Sequence, residues 1–357
     1  METRIIKTRL KERQEVFRLL AVAEAMQKPI LMVGPAGVGK TRALLDYANA
    51  YYEQQGNGKS TRQNAFVLET DEGTRSTEVR GRINIEKLTT EKKWVLDTPI
   101  AESEFLLINE IDKANAGLRN SLLGVMNERI LFAGKDKINC NWKVFCASCN
   151  VIPEDEVGNP FWDRFVLKIN VPRMSKSSLL NYYSTGGAET QISIKLPNTT
   201  ELNETANRLN PDKLGKLVET CYDSLSDRTL SFMPQLVAAV AIVYNVGEVK
   251  AMVKAVDIVA GSAKSKQLAK LVEPQELATA RAMVEAISNM SDYDTICNQI
   301  ENVKNYIQST LRTSGLVSEI DIQEIKEELE VTVNDNPAFN MNEVLEEAES
   351  ESMAQSV

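Results

Sequence analysis

The amino-acid sequence, 357 residues long, contains no histidine. Without imidazole the chain cannot form a Ser-His-Asp or Cys-His catalytic site, a histidine-ligated zinc site or a histidine pH switch. Any catalysis must therefore depend on carboxylates, lysine, arginine, hydroxyls, thiols or a bound metal ion.

Long apolar runs are also absent. The longest, residues 236–244, has nine residues, whereas a helix that crosses a membrane needs roughly 20. The first residues, METRIIKTRLKERQ, are basic and lack the apolar segment of a secretory signal. The sequence therefore predicts neither a membrane span nor export, and it favours a cytoplasmic location.

Cysteine is scarce, and the five residues follow no disulfide spacing, which is typical of a protein from a reducing compartment. Cys146 and Cys149 form a CxxC pair. A zinc ribbon would need a second pair or histidines, and a thioredoxin-like motif would open a helix after a strand. We interpret the pair as small residues packed at the end of a strand.

Basic residues are outnumbered, with 41 Lys and Arg against 50 Asp and Glu, which gives a formal net charge of −9. This charge disfavours extensive contact with nucleic acid, because non-specific binding depends on basic surface.

Apolar residues make up 43% and charged residues 25% of the chain, as in an ordinary globular protein. The length is sufficient for about two domains.

Short apolar runs alternate with stretches of helical spacing in the first half of the chain. Strands that are apolar throughout and separated by helices favour a parallel sheet covered on both faces, which is an α/β fold. The spacing also predicts an amphipathic helix over residues 10–27. The predicted strands cover residues 29–33, 65–68, 104–108, 142–147 and 165–171.

After about residue 175 the strand signal fades, and the sequence becomes rich in Ala, Leu, Lys and Glu, which predicts an all-α unit. The last residues, 331–357, include six acidic and no basic side chains, so a mobile tail is predicted there. The predicted domains are an α/β core over 1–173, a helical domain over 174–290, further helices over 291–330 and this tail.

The most specific motif is GPAGVGKT, residues 34–41, which matches G-x-x-x-x-G-K-[ST] and directly follows the first predicted strand. Its glycines allow the backbone to curl, so that N–H groups and the positive end of the next helix face a phosphate. The lysine would neutralise phosphate charge, and the threonine hydroxyl would bind Mg²⁺. The predicted nucleotide-binding residues are Gly34, Pro35, Ala36, Gly37, Val38, Gly39, Lys40, Thr41 and Arg42.

Hydrolysis also needs a carboxylate at the end of a neighbouring strand, and the segment FLLINEID supplies one. Four apolar residues precede Asn109 and Glu110, which is typical of a buried strand whose carboxyl end opens on a ligand crevice. Glu110 is the candidate catalytic base, because phosphoryl transfer depends mainly on positioning and charge stabilisation. The alternative is a solvated glutamate at the end of a strand.

Five motifs together resemble those of AAA+ ATPases of the MoxR type, in the helix-2-insert clade. They occur in the family's order and at about its spacings over residues 15–245. The resemblance implies a five-stranded αβα core followed by a helical lid, and Mg²⁺-dependent ATP hydrolysis in a homo-oligomeric ring, which the family suggests is hexameric. The motifs are GPAGVGKT, LLINEIDKANAGLRNSLLGVMNER, FCASCN, FWDRF and LSDRTL.

Three further catalytic residues are implied by the resemblance alone. Asn150 matches sensor 1, an amide that would orient the attacking water beside Glu110. Arg164 matches the arginine finger, which would reach the γ-phosphate held by the next subunit of the ring. Arg228 matches sensor 2 and would extend from the lid towards the same phosphate.

The sequence departs from the family pattern at two positions. Asn109 stands where the family usually has Asp. Its carbonyl can still orient a water of the Mg²⁺ ion, but the negative charge is missing, so metal affinity is the property affected. Pro234 falls within the helix expected after Arg228 and is predicted to kink that helix or make it restart.

Two segments resemble hairpins that face the central channel of such rings. Residues 81–96 resemble the hairpin that interrupts the second helix in this clade, and residues 129–142 resemble the hairpin before sensor 1. Their lysines could bind an acidic partner or nucleic acid, although a solvated loop is the commoner meaning of such charges.

The resemblance implies a chaperone-like ATPase that remodels a client or adaptor protein, with a von Willebrand A domain protein as a partner. Two alternatives stay open. One is a DNA-acting motor or helicase loader, which the negative net charge disfavours. The other is a nucleotide-stabilised structural ring in which Asn109 marks lost turnover.

Overall fold

The computed structural model describes residues 2–56, 65–83, 85–90, 96–133, 136–153, 159–184, 187–272, 275–312 and 319–339. Its strands, numbered along the chain, are β1 (Glu2–Thr8), β2 (Ile30–Val33), β3 (Ala65–Glu69), β4 (Arg82–Ile83), β5 (Leu96–Asp97), β6 (Phe105–Asn109), β7 (Ile130–Ala133), β8 (Asp136–Asn139), β9 (Val144–Cys149), β10 (Leu167–Asn170) and β11 (Thr190–Leu196).

The helices are numbered in the same way. They are α1 (Gln14–Met26), α2 (Lys40–Gln54), α3 (Thr77–Arg80), α4 (Ile85–Thr90), α5 (Pro99–Glu102), α6 (Ala116–Asn127), α7 (Lys176–Ser184), α8 (Thr199–Asn207), α9 (Pro211–Cys221), α10 (Asp227–Ser231), α11 (Met233–Tyr244), α12 (Glu248–Ala260), α13 (Ser262–Val272), α14 (Gln275–Ile287), α15 (Tyr293–Tyr306) and α16 (Glu319–Asn334).

The central element is a parallel sheet of five strands in the order β10-β2-β9-β6-β3. All five predicted strands are found in it, so the expected α/β core is confirmed. Every residue of β6 and β9 is buried, because helices cover both faces of the sheet. All five strands run in the same direction, so their carboxyl ends lie at one edge.

The two faces of the sheet belong to two hydrophobic clusters. Along β2, Ile30 and Met32 contribute to one cluster and Leu31 to the other; on β6, Leu107 and Leu106 divide in the same way. This alternation follows from the two-residue period of a strand. The first cluster also contains residues of α1, α2, α11 and α12, so the helical region after the sheet shares a core with it.

One small sheet was not expected. β1 pairs with β11 in antiparallel orientation, and β11 lies inside the region predicted to be all-α. The inward positions of β1 include Arg4 and Thr8 beside Ile6. Because two of these three buried residues are polar, the alternation of apolar and polar residues that marks a half-buried strand is missing from the sequence.

The carboxyl-terminal helices α14, α15 and α16 form a separate hydrophobic cluster. α16 continues to Asn334, past residue 331, where the tail was predicted to begin, and the side chain of Asn336 donates hydrogen bonds to the carbonyls of Ile287 (2.7 Å) and Met290 (3.1 Å). The predicted start of the mobile tail is therefore too early. Residues 340–357 lie outside the described residues.

Three local predictions can be compared with the structure. α10 ends at Ser231 and α11 restarts at Met233, with Pro234 in its first turn, where a missing N–H costs nothing. β7 and β8 form an antiparallel hairpin, although 134–135 of its predicted turn lie outside the described residues. β4 pairs with β5, with α4 between them; residues 84 and 91–95 are not described.

No single helix in the described part of the chain is both long and apolar enough to cross a membrane. Only α11 and α12 together reach that length and composition, and they are bent by 112° relative to each other.

Candidate nucleotide-binding site

The glycine-rich loop follows β2 and leads into α2. Gly37 and Gly39 have φ angles of +79° and +92°, which residues with a Cβ rarely adopt. α2 begins at Lys40 and has 15 residues. Its first N–H groups lack partners within the helix and carry the positive end of the helix dipole. The loop therefore has the backbone conformation and the positive electrostatic field that bind a phosphate group.

Lys40 lies across this loop. Its Nζ donates to the carbonyl oxygens of Gly34 (2.5 Å) and Pro35 (3.0 Å) and approaches Asn150 Oδ1 at 3.4 Å. Burial lowers the pKa of Lys40, and the nearby Cys149, Asp112 and Glu110 oppose this effect. Because these contacts hold the ammonium group against the loop, Lys40 is placed where a phosphate group would enter.

A cavity of about 320 Å³ opens between the loop and the carboxyl edge of the sheet. It brings together most of the predicted binding residues with Asn109, Glu110 and Asn150. Gly34 and Pro35 form the loop but do not line the cavity, and Arg42 lines it while its Nε donates to Asp46 Oδ1 over 2.6 Å. The lining residues are Ala36, Gly37, Val38, Gly39, Lys40, Thr41, Arg42, Glu69, Asn109, Glu110, Ser148, Cys149 and Asn150.

Asn109, at the end of β6, is only 4% exposed and connects three neighbouring elements. Its Nδ2 donates to Glu69 Oε1 over 2.6 Å. Its Oδ1 accepts a hydrogen bond from Ser148 Oγ over 2.9 Å and lies 3.3 Å from Thr41 Oγ1. The predicted partners of a metal ion, Thr41 and Asn109, are therefore adjacent.

Glu110 adopts the left-handed conformation, with φ of 55°, directly after the buried strand. The Thr70 hydroxyl donates to the Glu110 carbonyl over 2.7 Å, which helps to hold this turn. The Glu110 side chain is 42% exposed, and its Oε2 accepts from Lys113 Nζ over 2.5 Å. The candidate base is therefore half-exposed, paired with a lysine and at the wall of the cavity.

The two predicted catalytic arginines do not line the cavity of their own chain. Arg164 ends a short 3-10 helix, Trp162–Arg164, and donates to the carbonyl of Pro160. Arg228 Nη1 donates to Asn127 Oδ1 over 3.0 Å. The structure thus groups Asn150 with Glu110 and leaves Arg164 and Arg228 outside the cavity.

Besides Cys149, which was interpreted as a packing residue, three residues at or near the cavity are absent from the sequence-based prediction. Glu69 follows a predicted strand, and parallel neighbours in a sheet end at the same edge, so this glutamate could have been found from the strand pattern. Ser148 lies within β9, where nothing in the sequence marks it. Arg13 donates to the loop carbonyl of Val38 (3.2 Å) and to that of Pro172 (2.7 Å), a contact between segments far apart in the sequence.

The Cys146–Cys149 pair lies on β9, and both thiols are reduced and buried. Burial raises the pKa of Cys146 and raises that of Cys149 to about 12. No group of three or more acidic or cysteine side chains that could together hold a metal ion occurs in the part of the chain that the structure describes. These observations support the interpretation of the pair as packing residues.

The donor set of the cavity suits Mg²⁺ and a polyphosphate. Thr41 offers a hydroxyl, Asn109 a carbonyl, and Glu69 and Glu110 carboxylates, which are the hard oxygen ligands that Mg²⁺ takes directly or through its waters. The loop offers backbone N–H groups and Lys40 to the phosphates. The residues present therefore fit a magnesium nucleotide.

This fold and this cavity define a P-loop nucleotide-binding protein of the AAA+ class. Residues 2–210, more than half of the chain, match the family model described as the MoxR domain in the MoxR-vWA-beta-propeller ternary systems. The chain therefore belongs to the MoxR family of AAA+ ATPases, as the motifs had suggested.

Two relatives and one solved structure show how far the similarity reaches. The chain is 31% and 27% identical to the uncharacterized proteins MJ0079 and MJ0812 of Methanocaldococcus jannaschii, over 169 and 164 residues. Each match covers 44% of this chain, and 39% and 40% of the relatives, so the chain spans about two fifths of their length.

The solved structure, a proposed ATPase from Cytophaga hutchinsonii, is 15% identical, with a TM-score of 0.52. The match covers 69% of this chain and 81% of that one. At this level of identity the comparison shows the fold alone.

Proposed function

We propose that this chain hydrolyses ATP in a Mg²⁺-dependent reaction within an oligomeric ring, and that it uses the energy to remodel a partner protein. The observation that carries the proposal is the meeting of Lys40, Thr41, Glu110 and Asn150 around one cavity. These residues lie at the start of α2, directly after β6 and directly after β9, and together they provide groups for binding, metal coordination and water activation.

Each residue has a role that its position supports. Lys40 and the loop N–H groups bind the phosphates, as expected at the start of α2. Thr41 and Asn109 would hold Mg²⁺, which neutralises charge on the phosphates. Glu110 orients the attacking water and accepts its proton, and Asn150 helps to position that water with its amide.

The position of the arginines supports the proposed ring. Arg164 lies outside the cavity of its own subunit, so it must act on a neighbour's nucleotide if it is an arginine finger. The proposal therefore requires at least two subunits, and the family suggests six. Arg228 also lies outside its own cavity, so a role as sensor 2 requires either movement of the helical region or action on the neighbouring site.

A von Willebrand A domain protein is the partner that we propose. The matching family model is described by ternary systems that combine a MoxR domain with vWA and β-propeller components. The net charge of −9 continues to disfavour nucleic acid as the main partner.

Hydrolysis is tested by comparing phosphate release from Mg²⁺-ATP by the unsubstituted chain and by Glu110→Gln. Loss of the base is expected to lower turnover by about 10²-fold or more while nucleotide binding is kept. Glu219→Gln, an exposed position on α9, is the matched control. If the unsubstituted chain releases phosphate no faster than Glu110→Gln, the hydrolysis proposal is wrong and a structural ring is favoured.

The partner is tested with the same assay. Stimulation by a vWA domain protein supports the remodelling function. A salt-sensitive stimulation by single-stranded DNA would instead support the DNA-acting alternative, because phosphate contacts weaken as salt rises.

A further inference from the structure

Two neighbouring strands end in an amide and a carboxylate that face each other. Glu69 ends β3 and Asn109 ends β6, and the two residues are paired in the register of the parallel sheet. Asn109 Nδ2 donates to Glu69 Oε1 over 2.6 Å, and both side chains line the nucleotide cavity. The chain thus carries a negative charge beside the position where the family usually has one.

The bond between them decides how Asn109 is oriented. An ionised carboxylate can only accept hydrogen bonds, so the NH₂ group of Asn109 must face Glu69. The Asn109 carbonyl oxygen is thereby directed to the other side, where Ser148 Oγ donates to it over 2.9 Å. The hydroxyl of Thr41, the residue expected to bind the metal ion, lies beside the same amide, 3.1 Å from Asn109 Nδ2 and 3.3 Å from Oδ1.

An aspartate at position 109 would not fit this arrangement. Its carboxylate would face the carboxylate of Glu69 at hydrogen-bond distance without a proton to share, and two like charges so close repel strongly. An amide at 109 and a carboxylate at 69 are therefore matched to each other.

We propose that Glu69 supplies the negative charge of the magnesium site that Asn109 lacks, and that it fixes the orientation of the Asn109 amide beside Thr41. The inference rests on the proposed function, since it concerns the same cavity. The inference makes Glu69 a positioning residue for the metal ion. It also explains how the proposed turnover is kept although Asn109 departs from the family pattern.

Glu69→Gln removes the charge while its Oε1 can still accept from Asn109 Nδ2. A fluorescent ATP analogue is bound at fixed concentration and Mg²⁺ is titrated. We expect the Mg²⁺ midpoint to rise by about 10- to 100-fold, as is usual when a partner of a metal ligand is replaced. Affinity for the nucleotide in EDTA is expected to stay unchanged. An unchanged Mg²⁺ midpoint would overturn the inference.

The position of the charge is tested by moving it. Asn109→Asp alone places two carboxylates together and is expected to raise the Mg²⁺ midpoint or disturb folding, which thermal melting would reveal. The double variant Glu69→Gln/Asn109→Asp has one carboxylate again, and its midpoint is expected to return close to that of the unsubstituted chain. If the effects of the two single changes on the Mg²⁺ midpoint simply add in the double variant, a carboxylate at position 109 does not replace the one at position 69. That result would contradict the inference.

Glu72→Gln is the matched control, because it removes the same charge from an exposed residue three positions away that does not line the cavity. If the unsubstituted chain binds no nucleotide, the proposed function itself fails. If it binds Mg²⁺-nucleotide but Glu69→Gln behaves like Glu72→Gln, only the inference about Glu69 fails.

Discussion

Gly34 and Gly37 belong to the same phosphate-binding loop, but glycine is required at these positions for different reasons. A Cβ on Gly34 would lie 2.2 Å from the backbone oxygen of Val171, just after β10. A Cβ on Gly37 would meet nothing within 4 Å, and the restriction there comes from its φ of +79°. Packing excludes a side chain at Gly34, whereas backbone conformation disfavours one at Gly37.

The two alanine variants should therefore differ in stability. Gly34→Ala forces backbone of the loop away from Val171 and is expected to lower the free energy of unfolding by about 3 kcal/mol. Gly37→Ala introduces only the strain of a left-handed residue, about 1 kcal/mol. Urea unfolding of both variants measures the difference, and equal losses would contradict this account of the loop.

At the scale of single residues, motif spacing was enough to find most of the cavity. Lys40, Thr41, Glu110 and Asn150 were predicted by position in a motif, and the structure brings them to one cavity. Glu69 belongs to no motif and was missed, although the strand pattern places it at the same edge of the sheet. Its contact with Asn109 depends on which strand lies next to β6, and sheet order is a property of the folded chain.

At the scale of elements, the five parallel strands were predictable because each is buried on both faces and apolar throughout. β1 and β11 were not. β1 buries Arg4, whose Nη1 donates to Glu24 Oε2 over 2.5 Å, and Thr8, whose hydroxyl donates to Asp46 Oδ2 over 2.7 Å. The partners that make these polar residues suitable for burial lie on α1 and α2, far away in the sequence.

Helix α7 has no buried residue, and its amino-terminal end is attached to the segment between β1 and α1. Glu12 Oε2 accepts from the N–H of Ser175 over 2.8 Å, and Oε1 accepts from the hydroxyls of Ser175 (2.5 Å) and Ser178 (2.6 Å). These hydrogen bonds lower the pKa of Glu12 from 4.5 to about 2.

This contact predicts a dependence of stability on pH. Because the folded-state pKa of Glu12 is lower than its unfolded value, the stabilisation is complete above pH 4.5 and is lost as the pH falls towards about 2. The urea midpoints of the unsubstituted chain and of Glu12→Gln should therefore differ at neutral pH and converge in acid. Glu219→Gln is the control, and a difference that stays constant with pH would contradict the role of Glu12.

At the scale of the whole molecule, the cavity of one subunit contains groups for binding and for water activation but neither of the predicted arginines. Arg164 follows a cluster of aromatic residues, and Arg228 contacts Asn127 at the end of α6. In the proposed ring, Arg164 would therefore act on the nucleotide of a neighbouring subunit.

Arg164→Ala tests this arrangement. Nucleotide binding should be kept, whereas turnover should fall by about 10³-fold or more, since arginine fingers contribute that much in related phosphoryl transfers. Mixing Arg164→Ala with Glu110→Gln subunits should restore part of the activity, because some interfaces then combine an intact Glu110 with an intact Arg164. Arg208→Ala, at the exposed residue that directly follows α8, is the control. Full activity of Arg164→Ala, or of a dilute monomer, would contradict action between subunits.

The sequence by itself determined the apolar strands of the sheet, the phosphate-binding loop and the position of the glutamate that follows a buried strand, because each depends on residues close together along the chain. Only the tertiary structure decided that β1 pairs with β11, that Glu69 meets Asn109, and that Arg164 and Arg228 lie outside the cavity. These features depend on contacts between segments that are distant in sequence, and local patterns of polarity and spacing do not encode such contacts.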